Sequence, residues 1–407
     1  MSEAELRRPP KGLRRARFDL RVMAFVLVVG AAAVAVSVFQ VPKPIGARMV
    51  APVGQDSDPG KSDGRPASPA VDTFVGAKNC RDCHPGEAAA YAGSGHSKTL
   101  RRGDLSTIAK WLDGRTLKDP EVPDATWTYA LAGGRLEVER AEKGKFQCFP
   151  LDYAVGSGAN GVTFVTLRPP NEDGPGATGV EHRLSYISGP KKMNITPGQA
   201  IEDTASHRKE NSPHGRTLDA AQLTKCLDCH STVTASGGMR YVDPKALVPN
   251  VSCERCHGPG ATHVALARKG APEADLTMPM GLDSSGPIAQ IESCGQCHRT
   301  LRTVSPGMVD ERNPEISRFQ PVGLEMSYCF QKGKSGLSCT SCHDPHARAS
   351  RDHATYEAVC LKCHSATHRR SCPVSTTEGC IKCHMPKRTV SVDFQFTDHW
   401  IRRPKSE

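Results

Sequence analysis

The sequence predicts a mostly α-helical and irregular protein with little regular secondary structure, a small antiparallel β insert and a single N-terminal transmembrane helix. Three observations support this fold class. Apolar residues make up only 38% of the 407 residues and aromatic residues only 5%. Most of the 17 cysteines fall into one repeated pattern, and an uncharged apolar run follows a basic N-terminus. Side chains alone would form a thin core, so another group is expected to fill part of the interior.

The N-terminus predicts a membrane anchor. Residues 1–21 form a cytoplasmic basic flank with seven Lys or Arg against three acids, and residues 22–41 form the transmembrane anchor. Its charge-free part, Val22–Phe39, is just long enough to span a bilayer. A cleaved signal peptide is the alternative, but no small-x-small cleavage site precedes "QVPKPIG". The sequence therefore favours a single-pass protein of the inner membrane that faces the periplasm.

Seven copies of C-x-x-C-H contain 14 of the cysteines. They are Cys80/Cys83/His84, Cys226/Cys229/His230, Cys253/Cys256/His257, Cys294/Cys297/His298, Cys339/Cys342/His343, Cys360/Cys363/His364 and Cys380/Cys383/His384. In this pattern two thiols bind the vinyl groups of a haem as thioethers, and the histidine binds the iron. Cys₄ zinc sites would not require a histidine after every second cysteine, and a thioredoxin-like motif would occur only once or twice. The sequence thus predicts seven covalently bound c-type haems and a multihaem cytochrome c.

The motifs divide the chain into segments. A Pro-, Gly- and Ser-rich linker covers residues 42–73, and its stretch from Ala51 has a reach of roughly 25 Å. Residues 74–124 form a first haem segment. Alternating residues in "TWTYALAGGRLEVER" predict a β-rich insert at 125–190. Residues 191–407 form a six-haem domain of short helical turns joined by Gly/Pro loops.

Nine histidines outside the motifs are candidates for the second axial ligand of each iron. His263 and His346 closely follow a motif, so each would more naturally reach a neighbouring haem than the one its own motif holds. His96 and His399 lie 12 and 15 residues beyond a motif histidine, far enough to reach another haem. Three further ligands would come from the remaining five, which are His182, His207, His214, His353 and His368.

Three cysteines lie outside the motifs. Cys329 and Cys372 are candidates for a disulfide in an oxidising compartment, and Cys148 is expected to face inward from a strand. The odd number leaves at least one thiol without a partner in the same chain.

Four stretches carry a family resemblance: "FVGAKNCRDCHPGEAAAYAGSGHSKTL", "VSCERCHGPGATHV", "LSCTSCHDPHA" and "GCIKCHMPKRTVSVDFQFTDHWI". They resemble multihaem c-type cytochromes with doubled C-x-x-C-H motifs, related to the tetrahaem cytochrome that accepts electrons from hydroxylamine oxidoreductase. The resemblance spans roughly Phe74–Ile401 and implies stacked haem pairs, with His96, His263, His346 and His399 as distal ligands. Seven motifs rather than four or eight, and a long insert after the first, depart from that family.

The sequence favours an electron carrier over a catalyst. The expected partners are redox proteins or a quinol-oxidising membrane complex, and the lipid bilayer through the N-terminal helix. The alternatives are an oxidoreductase acting on a small nitrogen or sulfur compound at one five-coordinate haem, and a structural subunit of a respiratory complex. The net charge of +10 does not indicate nucleic acid, because the motifs are exported and each haem contributes roughly one to two negative charges.

Overall fold

The computed structural model of the protein describes residues 73–170, 176–201, 212–235, 240–280, 286–333, 336–364, 372–375, 377–391 and 393–404. All of them lie in one compact unit, Ala67–Glu407. The predicted anchor at 22–41 lies outside the described residues. Within the described ranges, no helix is both long and apolar enough to cross a lipid bilayer.

The predicted combination of short helices and antiparallel sheet is confirmed. The helices in the described ranges are α1 (Ala77–Arg81), α2 (Pro85–Ala92), α3 (Thr107–Leu112), α4 (Ala220–His230), α5 (Cys253–His257), α6 (Ala261–Arg268), α7 (Gly286–His298), α8 (Gln320–Met326), α9 (Tyr328–Lys332), α10 (His353–His364) and α11 (Cys380–His384). Most have fewer than three turns, so packing or capping rather than intrinsic propensity must hold them.

The strands are concentrated before the second motif. They are β1 (Leu100–Arg102), β2 (Thr116–Lys118), β3 (Ala125–Ala132), β4 (Arg135–Glu142), β5 (Lys145–Pro150), β6 (Tyr153–Val155), β7 (Gly161–Arg168), β8 (Thr178–His182), β9 (Leu184–Ile187), β10 (Lys192–Ile195), β11 (Gly215–Leu218), β12 (Ser231–Val233), β13 (Val248–Pro249), β14 (Lys387–Ser391) and β15 (Phe394–Thr397). Strands therefore begin before residue 125 and continue after residue 190.

Two antiparallel sheets form most of this β region. One has the order β2-β3-β4-β5, and the other has seven strands, with the path β1-β6-β7-β8-β11 and with β9 joining β7 to β10. Strand β3 alternates buried and partly buried residues, as the sequence predicts for a half-buried strand. The sheet reaches beyond 125–190 because β1 pairs with β6 and β11 pairs with β8.

Helix α4 connects the seven-stranded sheet to the second motif. Asp219 caps its first turn, where it accepts from the backbone N–H of Gln222, and the Gln222 side chain accepts from the N–H of Asp219. Leu223 and Leu227, one turn apart, are fully buried in a cluster with sheet residues. Cys226 packs against the same cluster, so the sheet fixes the position of this motif.

Apolar burial is uneven along the chain. The largest described cluster contains 11 buried residues, among them Trp127, Tyr129 and Phe164 of the β region. The cluster formed after residue 300 contains only Val304, Ile316 and Val322. The part of the chain with most of the motifs thus has the thin side-chain core that the composition predicts, as expected where another apolar group completes the interior.

Candidate functional site

Each C-x-x-C-H motif occupies about one helical turn. Helices α4, α7 and α10 end at a motif histidine, and α5 and α11 consist of the motif alone. In the first motif the His84 N–H donates to the Cys80 carbonyl at 2.9 Å, and in the fifth the His343 N–H donates to the Cys339 carbonyl at 3.0 Å. Residues three and four apart lie on the same side of a helix. Both thiols and the histidine of a motif can therefore face one bound group.

Four motif histidines face a histidine from elsewhere in the chain. The ring centres are 6.3 Å apart for His84 and His263, 6.1 Å for His298 and His96, 5.9 Å for His257 and His346, and 6.2 Å for His343 and His399. A metal-bound imidazole nitrogen lies about 2 Å from the metal, so two rings on opposite sides of one ion have centres about 6 Å apart. All four separations match the distance expected between two imidazoles bound to one six-coordinate metal.

The four partners are the four histidines that the sequence singles out first. No pair joins a histidine to its own motif: His263 faces the first motif, and His346 faces the third. Within "CHDPH", His343 faces His399 whereas His346 faces His257. Two histidines three residues apart therefore serve two different sites.

Hydrogen bonds fix the protonation of several rings. Nδ1 of His230, His384 and His399 donates to the backbone carbonyls of Thr99, Arg402 and Thr397 at 3.2, 2.8 and 3.0 Å. Nδ1 of His298 donates to Oε1 of Gln320 at 3.1 Å. A proton on Nδ1 leaves the Nε2 lone pair available for a metal, and such a partner also orients the ring.

Burial favours the neutral form of five of the histidines at the motifs. It lowers the pKa of His399 to about 4. It also lowers the pKa below the usual value for His96, His230, His298 and His343. A neutral imidazole is the form that binds metals, so the electrostatics agree with the ring geometry.

Thiols of different motifs come together. The Cys80 thiol lies beside that of Cys253, the Cys229 thiol beside that of Cys297, and the Cys294 thiol beside that of Cys339. The supporting elements pack accordingly: α1 contacts α5, α4 contacts α7, and α7 contacts the 3₁₀ turn Cys339–Ser341. Helices α10 and α11, which carry the last two motifs, also pack together. The attachment points of neighbouring motifs are therefore adjacent in space.

The two thiols of a motif are not equally covered, although the sequence assigns both to haem attachment in the same way. The first cysteine of every motif is half-buried, whereas the second is exposed in four motifs, at Cys83, Cys342, Cys363 and Cys383. At these four positions, packing of the protein's own side chains covers the first thiol of the motif and leaves the second exposed. In the first, fifth and seventh motifs the helical segment is only about one turn long, and one turn packed against a thin core covers only its inner side. Attachment of haem to these four thiols stays a prediction, which the haem count of the holoprotein tests.

Two buried acids and one amide connect motif segments, and sequence reasoning did not identify them. Glu357 of α10 accepts from the backbone N–H groups of Gly379 and Ile381 at the start of α11. Gln290 of α7 accepts from the hydroxyls of Ser338 and Thr340 at the fifth motif. Glu254, inside the third motif, accepts from three N–H groups of two other segments. An acid within or just before a motif is the one sequence signal they offer.

The other candidate ligands lie elsewhere. His182 and His214 are buried in the β region, where both rings contact the Trp127 ring edge-on, and Nε2 of His182 is 2.9 Å from the Tyr129 hydroxyl. Their place in this core assigns them to packing rather than to a motif. His353 begins α10. His207 and His368 lie outside the described residues, and in the described part of the chain no such ring pair involves His230 or His384.

The cysteines outside the motifs are free thiols. Cys148 is exposed on β5, with its Sγ 3.8 Å from a Glu137 carboxylate oxygen, so the expectation that it faces inward is wrong. It lies on the edge strand of the four-stranded sheet, where the alternation of the sequence does not determine which face is covered. Cys329 and Cys372 are not bonded to each other.

These residues fit c-type haem. Paired thiols, a histidine one turn on, and facing imidazoles spaced for one metal are the groups that such a haem requires. Across the described ranges, no group of three or more His, Cys, Asp or Glu side chains is arranged to hold a bare metal ion.

Comparison with known proteins agrees with this chemistry. The family model described as cytochrome c554 and c-prime matches residues 194–258, which include the second and third motifs. The match supports a multihaem c-type cytochrome with covalently bound haem. The outer cell wall cytochrome OcwA is similar at 14% identity over 81% of this chain and 79% of that one, with a TM-score of 0.43. No curated protein matches the sequence.

Proposed function

We propose that this chain is a membrane-anchored periplasmic cytochrome with seven c-type haems, and that it carries electrons through closely packed, mainly bis-histidine haems. The observation that carries the proposal is the set of four facing histidine pairs, His84/His263, His298/His96, His257/His346 and His343/His399. An iron with two imidazole ligands has no position open for a substrate, and it exchanges electrons with little change in its surroundings.

The arrangement of the motifs supports transfer along a series of haems. The neighbouring thiols of different motifs support an order in which the first haem lies beside the third, and the fourth beside both the second and the fifth. The packing of α10 on α11 supports a sixth haem beside the seventh. Each attachment site would therefore have at least one neighbouring site to which an electron could pass.

The facing histidines reinforce this connectivity. His96 follows the first motif and faces the fourth, and His346 follows the fifth motif and faces the third. A ligand supplied by one motif segment to another motif's iron fixes the two haems relative to each other. Constant haem spacing is what a chain of electron carriers requires.

The anchor, the compartment and the partners complete the proposal. The apolar run at 22–41 after a basic flank supports an inner-membrane anchor with the motifs in the periplasm. Redox proteins or a quinol-oxidising membrane complex are the proposed partners. The excess of positive side chains would be offset largely by the haem propionates.

The full-length holoprotein tests the proposal. Mass spectrometry should find seven haems, and electron paramagnetic resonance should show the irons with paired histidines as low-spin. In H346A the haem content should be unchanged, and one iron should become high-spin. H346M is the matched variant, because methionine restores a sixth ligand: that iron should stay low-spin and its potential should rise. An H346A spectrum identical to wild type would refute the ligand assignment.

A further inference from the structure

Glu254 is an acid within a motif spacer, yet it is only 2% exposed. The other spacer acids are not buried: Asp82 is exposed, and the Asp228 side chain is 48% exposed and pairs with Arg255 at 3.2 Å. A buried carboxylate is costly unless hydrogen bonds replace its water. Its position therefore calls for specific partners.

Three backbone N–H groups supply those partners. Oε1 of Glu254 accepts from Val75 at 2.8 Å and from Gly260 at 3.0 Å, and Oε2 accepts from Gly76 at 2.8 Å. Gly76 directly precedes α1 and adopts a φ of +82°, a backbone conformation that favours glycine. Short bonds from amides to an ionised carboxylate are about twice as strong as those between neutral groups.

The three donors belong to the two segments that carry one facing histidine pair. Val75 and Gly76 directly precede α1, and His84 follows three residues after the end of that helix. Gly260 precedes α6, whose third residue is His263. Glu254 therefore accepts hydrogen bonds from both segments, the one before His84 and the one that carries His263. The centres of these two rings are 6.3 Å apart.

Other contacts between these segments are fewer and more exposed. The Ala261 N–H donates to the Thr73 carbonyl at 3.1 Å, and the Arg268 guanidinium donates to the Asn79 side chain at 2.9 Å in a solvent-exposed bond. Helix α1 also packs on α5, which is the third motif, and the Cys80 and Cys253 thiols are neighbours there. Glu254 is the buried element of this junction.

We propose that Glu254 is a positioning residue that sets the distance between His84 and His263, so that a residue of the third motif builds the iron site of the first. The inference rests on the ligand pair assigned under the proposed function. A ligand displaced by an ångström no longer bonds to iron, and a shared acceptor for both segments prevents that displacement. Glutamine cannot replace it, because its amide group would direct N–H donors at one of the backbone N–H groups.

The test uses the full-length holoprotein carrying E254Q, with D228N as the matched control for the loss of an acid from a motif spacer. E254Q should keep every haem and gain a high-spin signal of up to one iron per chain, and the potential of that iron should shift. D228N should match wild type. An E254Q protein with wild-type spin states and potentials would overturn the inference.

Two further measurements keep the outcomes separate. H263A should itself produce one high-spin iron. If it does not, the ligand pair fails, and with it that part of the proposed function rather than the role of Glu254 alone. If E254Q does not mature, hydrogen exchange of the wild-type protein decides: slow exchange at Val75, Gly76 and Gly260 supports the inference, and fast exchange at these amides overturns it.

Discussion

Replacing Asp398 by asparagine should loosen the C-terminal segment that carries His399 and accepts a hydrogen bond from His384, the proposed ligands of two irons. The Asp398 carboxylate is 1% exposed, accepts from the Arg402 guanidinium at 2.9 Å, and lies 3.6 Å from that of Arg388. It also accepts from the Trp400 N–H at 2.9 Å, which closes the turn. His399 lies inside this turn, and the Arg402 carbonyl at its end accepts from His384.

The cost of the substitution follows from these contacts. Asparagine keeps an acceptor for the Trp400 N–H but loses the charge that holds both guanidinium groups. Removing one partner of a fully buried ion pair costs about 3–5 kcal/mol. Arg388 and Arg402 are 19% and 27% exposed, so water can solvate them afterwards and the cost falls to about 2.5 kcal/mol. Opening of the segment should become about 70-fold more frequent.

Hydrogen exchange of the holoprotein measures this directly. The Ile401 N–H, which donates to the Ser327 hydroxyl at 2.8 Å, and the Asp398 N–H, which donates to the Pro386 carbonyl at 3.0 Å, should exchange about 70-fold faster. D104N is the control, since it removes an aspartate from an ion pair in the β region. A change of less than about threefold at both amides would refute the reasoning, because it would mean that the arginines do not hold the turn.

Three further outcomes are expected. Asp119→Asn should destabilise the β region by about 2–3 kcal/mol in urea unfolding, because its buried carboxylate accepts from Arg183 at 2.9 Å. Burial lowers the pKa of His182 to about 3, so the neutral ring contributes its full stabilisation above pH 6.5. The free energy of unfolding should fall by up to about 1.4 kcal/mol per pH unit as the pH drops towards 3. In H182N the urea midpoint should depend less on pH. Gly323→Ala would put a Cβ 2.6 Å from the His399 backbone, and should raise the high-spin signal of the iron that we propose between His343 and His399. G189A, in open space, should not.

The attachment sites could be predicted from the sequence because their chemistry is local. One helical turn contains both thiols and the histidine, so spacing alone identifies the seven motifs. Spacing did not show which thiols lie at the surface, because the exposure of Cys83, Cys363 and Cys383 depends on what packs against each turn. The short list of distal candidates also followed from spacing: His263 and His346 lie too close to their own motifs to reach around a haem. The structure places both opposite the histidine of another motif.

Which rings face each other was decided by tertiary structure. The partner of His84 lies 179 residues away in the chain, and nothing local to either residue specifies the other. The same holds for Glu254, whose role depends on amides of two distant segments. Spacing can show that a ligand must come from another motif, but not from which one.

In the β region, too, the sequence predicted local elements but not how they pack together. Alternation predicted strands near "TWTYALAGGRLEVER", and β3 and β4 form there. The joining of β1 and β11 to that sheet, and the exposure of Cys148 at its edge, depend on which surfaces meet. The sequence by itself determined the haem chemistry, because covalent attachment needs only neighbouring residues. Tertiary structure decided which histidines face each other and which motifs adjoin, because these depend on contacts between residues far apart in the chain.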